Sequence, residues 1–456
     1  MSKVAQQAEA LMASGDLKGA MKVVNEGLNK DPSDMAAMMV AASIVSREGC
    51  WGMAYNLLHR VRENSPPHLE ILNNLGMASA SLGSSTGREE LFEEAERHLR
   101  KAMKRERLKE TLSNMSMLMV QTGRPVEAES FARECIQLDP GNAGAMESLG
   151  YACLHQGKWA EGFPAYDFNL GGKYRPVPKG YEYWKPGTKG KRILVFGEQG
   201  IGDEITYASV LPDAARDNKI TYECDPRLYG LFKRSLPNVE VKGTRFKEVA
   251  EWRDEKRWDA ACLTGSLCRE YRRSDADFPR SAFLIPDGER CLQWRSLLTT
   301  LPGKKVGIAW TGGLPNTFQS RRSFNLEGLL PILKIPGITW VSLQYKAPSD
   351  EIAALREKHG IEVRHWERAV GKGVDYDETA ALVSELDAVV SVTTAAVHLC
   401  GALGKKCYVL VPKRCRWFYN STDSRHRWYD SLELFRQEDK WPVERLADRL
   451  KADLCG

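Results

Sequence analysis

Two glycine-rich corners in the second half of the chain constrain its fold more than any other feature. One runs Arg192-Ile-Leu-Val-Phe-Gly-Glu-Gln-Gly-Ile-Gly-Asp-Glu204 and the other Ala388-Val-Val-Ser-Val-Thr-Thr-Ala-Ala-Val-His-Leu-Cys-Gly-Ala-Leu-Gly404. Each starts as an apolar run, breaks into small residues and continues with helical spacing. That is how an α/β unit presents the free N–H groups of a helix N-terminus at the carboxyl edge of a parallel sheet. Two such corners predict two nucleotide-fold lobes with a cleft between them.

At 456 residues the chain is too long for one core, so two or three domains are expected. Charge divides unevenly between its parts. Residues 1–170 carry 18 Lys/Arg against 22 Asp/Glu, whereas residues 171–456 carry 47 against 38. The basic part is the one with the corners, which suits an anionic ligand such as a nucleotide sugar and equally a nucleic acid. No apolar run reaches 18 residues, so no membrane span is expected. The opening Met1-Ser-Lys-Val-Ala-Gln-Gln reads as a polar helix rather than a leader. Eleven scattered cysteines, with no Cys-x-x-Cys pair, predict reduced packing thiols in a cytoplasmic protein.

The first 170 residues repeat. Gly15, Gly49 and Gly83 recur at one period, and Gly123 and Gly157 share it. Ala20, Ala54 and Ala128 each follow a glycine by the same step, and Pro32, Pro66 and Pro140 recur after them. Glycine between paired helices and proline after the second fit a helical-repeat array of about five units. The third unit carries an insertion near Ser84–Glu90. The fifth, with Gly157, Trp159 and Gly162, lacks the closing proline and fades into the next segment. Such arrays bind partners on a concave face, or serve as spacers.

Residues 171–191 are Gly/Pro-rich, basic and aromatic, and read as a linker whose Tyr and Trp side chains dock on a neighbouring lobe. The first lobe is expected over 192–286, with strands Ile193–Phe196, Ile220–Cys224 and Asp259–Leu263. The second is expected over 287–456, with strands Val306–Trp310, Thr339–Gln344, Ala388–Val392 and Cys407–Val411 and a last helix at Pro442–Leu450. Strand–helix alternation of this kind predicts parallel sheets covered on both faces. The fold class is therefore α + α/β: an all-α solenoid followed by twin Rossmann-like lobes.

The first corner has the spacing Gly-x-x-Gly-x-Gly, neither the dinucleotide fingerprint nor a phosphate loop. Asp203 stands where a helix starts. It reads either as a helix cap or as a carboxylate at the cleft edge that accepts a proton from a hydroxyl. Gln199, Gly200, Gly202 and Glu204 form the loop around it. At the second corner Thr393, Thr394 and Ala395 are small enough to let a diphosphate reach the helix N-terminus, and His398 shares a helix face with Thr394. A histidine there is otherwise a satisfied structural residue. The loop Thr311-Gly312 to Ser323 follows a buried strand and ends in Arg321 and Arg322, which suit bidentate phosphate binding or a solvated surface. Lys413, Arg414 and Arg416 form a second basic cluster on the same edge.

With these residues in hand, the chain resembles tetratricopeptide repeats followed by a transferase domain similar to glycosyltransferase family 9, which has the two-lobed GT-B fold. The resemblance spans residues 184–452. It rests on Trp184, Glu198-Gln-Gly-Ile-Gly-Asp203, Val306-Gly-Ile-Ala-Trp310, Arg322-Ser323, Val397-His-Leu399, Gly401-Ala-Leu-Gly404, Trp428-Tyr429 and Leu434-Phe-Arg-Gln437. It implies an inverting glycosyltransferase that uses a nucleotide sugar as co-substrate and needs no further cofactor. Asp203 takes the place of the catalytic base. Thr311, Gly312, Arg321, Arg322, Thr393, Thr394, Ala395 and His398 fall on the donor side. Where the family commonly has an acid before the corner threonine this chain has Thr393, so the resemblance does not carry a sugar identity with it. Asp275-x-Asp277 and Asp375-x-Asp377 match the triplet that holds Mn²⁺ in another transferase class, but neither follows a buried strand, and no metal is expected. The acceptor stays open among a protein, a glycan and a modified nucleic-acid base, with the repeats binding a protein partner. Thr393 also leaves room for a non-catalytic scaffold.

Overall fold

The computed structural model describes residues 2–66, 68–168, 181–247, 250, 252, 257–313, 319–346, 348–371, 373–419 and 424–455. Residues Met1–Ala152 form one compact unit; residues 153–314 and 321–456 belong to a second.

The first unit is built from helix pairs: α1 (Lys3–Ala13) with α2 (Leu17–Lys30), α3 (Met35–Arg47) with α4 (Trp51–Asn64), α5 (Leu69–Thr86) with α6 (Glu89–Arg105), and α7 (Lys109–Gln121) with α8 (Pro125–Leu138). Gly15, Gly49 and Gly123 stand between the members of three pairs at φ of 87°, 77° and 74°, the left-handed conformation a residue with Cβ resists. Ala20, Ala54 and Ala128 are fully buried where the paired helices approach. The third pair departs from the pattern for a visible reason. Helix α5 runs a turn further, so Gly83 lies inside the helix and Gly87, at φ 75°, takes over the turn.

Helix α9 (Ala143–His155) leads to α10 (Trp159–Asp167), the second helix of the expected fifth repeat. Physically α10 is part of the α/β unit. Trp159 donates its ring N–H to Asp275 at 3.1 Å and packs on Phe278, while Phe163 and Tyr166 present edges to Trp417. Residues 171–180 of the expected linker lie outside the described residues. Its last part is a short strand, β1 (Glu182–Tyr183), which pairs with the edge of the first sheet and buries Trp184. A two-residue strand flanked by Gly and Pro has no alternation to read, so only its aromatic docking was legible.

Besides β1, the first sheet contains β2 (Arg192–Phe196), β3 (Lys219–Glu223), β4 (Val239–Lys242) and β5 (Ala260–Leu263). Its order is β1-β5-β2-β3-β4. The second sheet contains β6 (Lys304–Ala309), β7 (Ile338–Ser342), β8 (Val363–Arg364), β9 (Ala388–Val392), β10 (Cys407–Val411) and β11 (Leu432–Arg436). Its order is β11-β10-β9-β6-β7-β8. Every strand pair is parallel. Strands β2, β9 and β10 are apolar almost throughout because helices cover both faces. The expected strands are present; β1, β4, β8 and β11 are additional and sit at sheet edges. No helix among the described residues is long and apolar enough to cross a membrane.

The helix Ala395–Leu403 after β9 is packed at Gly401, where an added Cβ would lie 2.2 Å from a ring carbon of the fully buried Tyr429. Replacing Gly401 with Ala should therefore lower stability by about 1–3 kcal/mol from overpacking, despite the roughly 1 kcal/mol that alanine gains in helix propensity. Urea denaturation followed by tryptophan fluorescence measures this; an unchanged or raised midpoint would contradict the packing argument.

Candidate functional site

Strands β6 and β9 are neighbours, but the chain leaves them toward opposite sides of the sheet, to β7 and β10 respectively. A crevice opens where such connections diverge, at the carboxyl ends of the two strands. Thr311 and Gly312 come from β6, and Thr393 and Thr394 from β9. A Cβ on Gly312 would lie 2.5 Å from Thr394 Cγ2, so only glycine lets the two corners approach. Thr394 caps the Ala395–Leu403 helix, its hydroxyl oxygen accepting the Ala396 N–H at 3.2 Å. Thr393 is buried, and its carbonyl accepts Arg322 Nη1–H at 3.0 Å. Thr311 and Trp310 give their backbone N–H groups to Gln344 Oε1, at 3.0 and 3.3 Å. Gln344 is a buried anchor that no motif had marked. Arg321 precedes Arg322 on a 3-10 turn, Gln319–Arg322; residues 314–318 of this loop lie outside the described residues. Burial holds the Arg322 guanidinium below its ordinary pKa, and the like charge of Arg416 adds to the effect.

In the first lobe β2 and β5 are neighbours. Glu198, two residues after β2, is fully buried and accepts the Gly265 N–H at 2.6 Å. Burial pushes its carboxyl up to about 7. Gln199 adopts φ 59°, a strained value for a residue with a side chain. It is fixed from several sides. Its amide donates to the Tyr166 hydroxyl at 3.1 Å, its carbonyl accepts Arg245 Nη2–H at 2.7 Å, and its Oε1 accepts from Arg416 at 3.4 Å. Gly200 begins the helix Ile201–Ala208 and gives its N–H to the Asp203 carboxylate at 3.3 Å. Asp203 is thus a helix cap, and it also faces the cleft: Arg416 Nη1, from the loop after β10, lies 3.1 and 3.4 Å from its two oxygens.

Two expected site residues face elsewhere. Glu204 turns into the first lobe, where it pairs with Arg245 and accepts the Asp225 N–H at 2.7 Å. It is fully buried and pushed up to about 7 by that burial, so it is a core group and no part of an acceptor surface. One helix position separates it from Asp203, and that rotation of about 100° decides the difference. His398 is likewise turned from the β6–β9 crevice to the seam between the lobes. The two Asp-x-Asp triplets cap turns and pair with arginines: Asp277 accepts the Ser274 N–H at 2.7 Å, and Asp377 pairs with Arg234 at 2.9 Å.

The seam is dense. Gly202 stands against Ala395, where an added Cβ would lie 3.1 Å from the Ala395 Cα and 3.0 Å from a His398 ring carbon. Phe418 stacks on Trp417 at 4.0 Å between centroids and meets Tyr207 of the first lobe at 5.8 Å, and Trp428 Nε1 donates to Ser209 at 3.1 Å. His398 Nδ1 lies 2.7 Å from Thr206 Oγ1, and Nε2 lies 3.0 Å from the Tyr419 hydroxyl. Thr206 gives its hydroxyl hydrogen to the Gly202 carbonyl. Its oxygen therefore accepts from Nδ1–H, and Nε2 accepts from Tyr419 (a tautomer assigned from the network). Burial lowers the His398 pKa to about 4.

A histidine whose folded pKa lies below its unfolded value stays neutral in the fold while the unfolded chain takes up a proton. Its stabilising effect is complete above pH 6.5 and is lost as pH falls toward 4. Relative to a His398→Gln variant, the native protein should lose roughly 3 kcal/mol of stability across that window. Denaturant midpoints of the two proteins at pH 7, 5.5 and 4 provide the comparison; parallel pH curves would contradict it.

No protein-family model matches the chain. It is similar to Protein FlbA of Caulobacter vibrioides, with 28% identity over 397 residues, which takes in 82% of this chain and 65% of that protein. The chain thus spans less than two thirds of that relative's length. Among solved structures, a tetratricopeptide-repeat protein of Thermus thermophilus aligns with 36% of this chain and 86% of its own, at 18% identity and a TM-score of 0.32. A family 9 glycosyl transferase from Veillonella parvula aligns with 59% of this chain and 93% of its own, at 12% identity and a TM-score of 0.40. In fold, the chain joins an array of paired helices to two parallel, helix-covered sheets.

Proposed function

We propose that the α/β unit is an inverting, metal-independent glycosyltransferase and that the helical repeats bind a protein that carries or presents the acceptor. The observation that carries this reading is the opposition of Asp203, on a first-lobe helix, to the arginines and the Thr393–Thr394 corner of the second lobe. A nucleotide-sugar diphosphate fits the β6–β9 crevice. There Arg322, Arg321 and the positive end of the Ala395–Leu403 helix would balance its charge. Asp203 takes the proton from an acceptor hydroxyl as that oxygen bonds to the anomeric carbon. On the opposite face the bond from that carbon to the diphosphate breaks, and the diphosphate leaves with the electron pair. The configuration at the carbon inverts because attack and departure are in line. The same arginines and helix end stabilise the charge that develops on the leaving group.

Asp203→Asn keeps the shape of the side chain and removes its ability to accept a proton. Transfer should fall about 10²–10⁴-fold while the donor still binds. Isothermal titration with a panel of nucleotide sugars reads binding, and mass spectrometry of sugar gain in native host extract reads transfer. Wild-type-like turnover removes Asp203 as the base, and an absence of binding to every nucleotide sugar favours a non-catalytic scaffold.

A further inference from the structure

The transferase reading leaves Arg416 without a role, although it is the cation that touches the proposed base. It follows β10, in the stretch Lys413-Arg414-Cys415-Arg416, and reaches from the second lobe to Asp203 on the first. The pair is loosely made. A single nitrogen, Nη1, is shared between both carboxylate oxygens at 3.1 and 3.4 Å, and Nη2 goes to the neutral Gln199 amide at 3.4 Å. A guanidinium committed to a carboxylate meets it fork to fork at about 2.7–2.9 Å. Arg234 approaches that arrangement with Asp377, its two nitrogens reaching the two oxygens at 3.2 and 2.9 Å. The Arg416 side chain is also 40% exposed, so its bond to Asp203 contributes little and is easily exchanged. On the donor side, Arg322 stands over the Thr393 carbonyl. The Asp203 carboxylate and the Arg416 guanidinium both act electrostatically on Arg322, so the cleft gathers two guanidiniums near one carboxylate.

We propose that Arg416 is a gate on the base: Asp203 and the donor diphosphate compete for its guanidinium, so that donor binding frees the carboxylate to take the acceptor proton. This rests on the glycosyltransferase reading and deepens it. Without donor, the oxygens of Asp203 are occupied by the Arg416 guanidinium. When the diphosphate arrives, Arg416 has a more highly charged partner that offers matched oxygens. Its departure leaves Asp203 with the Gly200 N–H and open lone pairs toward the cleft. Gln199, which receives the other arm of the same guanidinium, keeps its strained backbone through Tyr166 and Arg245 and so holds the loop in place during the exchange. Arg416 is thereby a positioning residue, and the enzyme binds donor before it can deprotonate acceptor.

The test is a double-mutant cycle on the full chain, titrated calorimetrically with UDP, ADP, GDP and CDP at fixed ionic strength. Asp203→Asn releases Arg416 and should tighten the nucleoside diphosphate that binds by about three- to tenfold. Arg416→Gln, at an exposed position that tolerates the change, should weaken it. With Gln at 416, adding Asp203→Asn should change affinity by less than about twofold, because the competition is gone. Equal tightening in both backgrounds would mean that Asp203 acts on the ligand directly, and no tightening in either would mean that it does not compete; each result overturns the gate and leaves the transferase reading standing. If none of the four proteins binds any of the diphosphates, the gate and the transferase reading fall together.

Discussion

The seam around His398 is the contact on which the site depends. The proposed base on one lobe and the proposed phosphate corner on the other are useful only if their spacing is held to a fraction of an ångström. Both lie on helices that start at the seam. Gly202, one residue before Asp203, is pressed against Ala395, one residue after Thr394. His398 locks this approach by bonding Thr206 on the first helix and Tyr419 beyond the second. A neutral imidazole does this well in a dry place, with one donor and one acceptor for two hydroxyls and no charge to desolvate. Tyr207, Phe418 and Trp428 supply the apolar mass that keeps water out.

Helix α10 extends the same logic to the first lobe. Its sequence continues the repeat period through Gly157, which keeps the left-handed φ of 72° seen in the other repeats. Its aromatic face, however, is spent on Trp417 and Phe278 rather than on a further repeat. Through Tyr166 it supports Gln199, and through Asp167 it gathers the hydroxyls of Ser266 and Tyr183 and the guanidinium of Arg269. A segment that begins as the end of an array has become a wall of the α/β unit. The loop beside Asp203 therefore depends on residues that the strand–helix alternation does not contain.

How far the sequence could be read depends on the kind of signal each feature leaves. Glycine periods, apolar strands and small-residue corners are local and periodic, and they delivered the repeats, both sheets' central strands and the meeting of Thr311, Gly312, Arg322, Thr393 and Thr394. Edge strands such as β1 and β8, two residues each, carry no pattern. The inward turn of Glu204 was hidden because its partner, Arg245, is distant in sequence. The seam role of His398 was hidden for the same reason, since Thr206 lies on the other lobe. Arg416 stood out only as one member of a basic cluster. Nothing in its neighbourhood says that it reaches Asp203, because that contact exists only once both lobes are folded. Tyr166 left a fainter trace: an aromatic series, Trp159, Phe163 and Tyr166, at helical spacing in a repeat that lacked its closing proline.

Three acids within seven residues, Glu198, Asp203 and Glu204, show how the fold assigns roles by environment. Glu198 and Glu204 have carboxyls raised to about 7, the range expected of a general base at neutral pH. Neither can reach a substrate. Glu198 is sealed behind the Gly265 N–H and the Gln199 amide, and Glu204 is enclosed by Arg245 and Asp225. A raised pKa there records burial, and proton transfer needs contact first. Asp203 is the one of the three whose oxygens meet the cleft. Arg416 meets those oxygens from the second lobe, whereas Arg245 is committed to Glu204 inside the first.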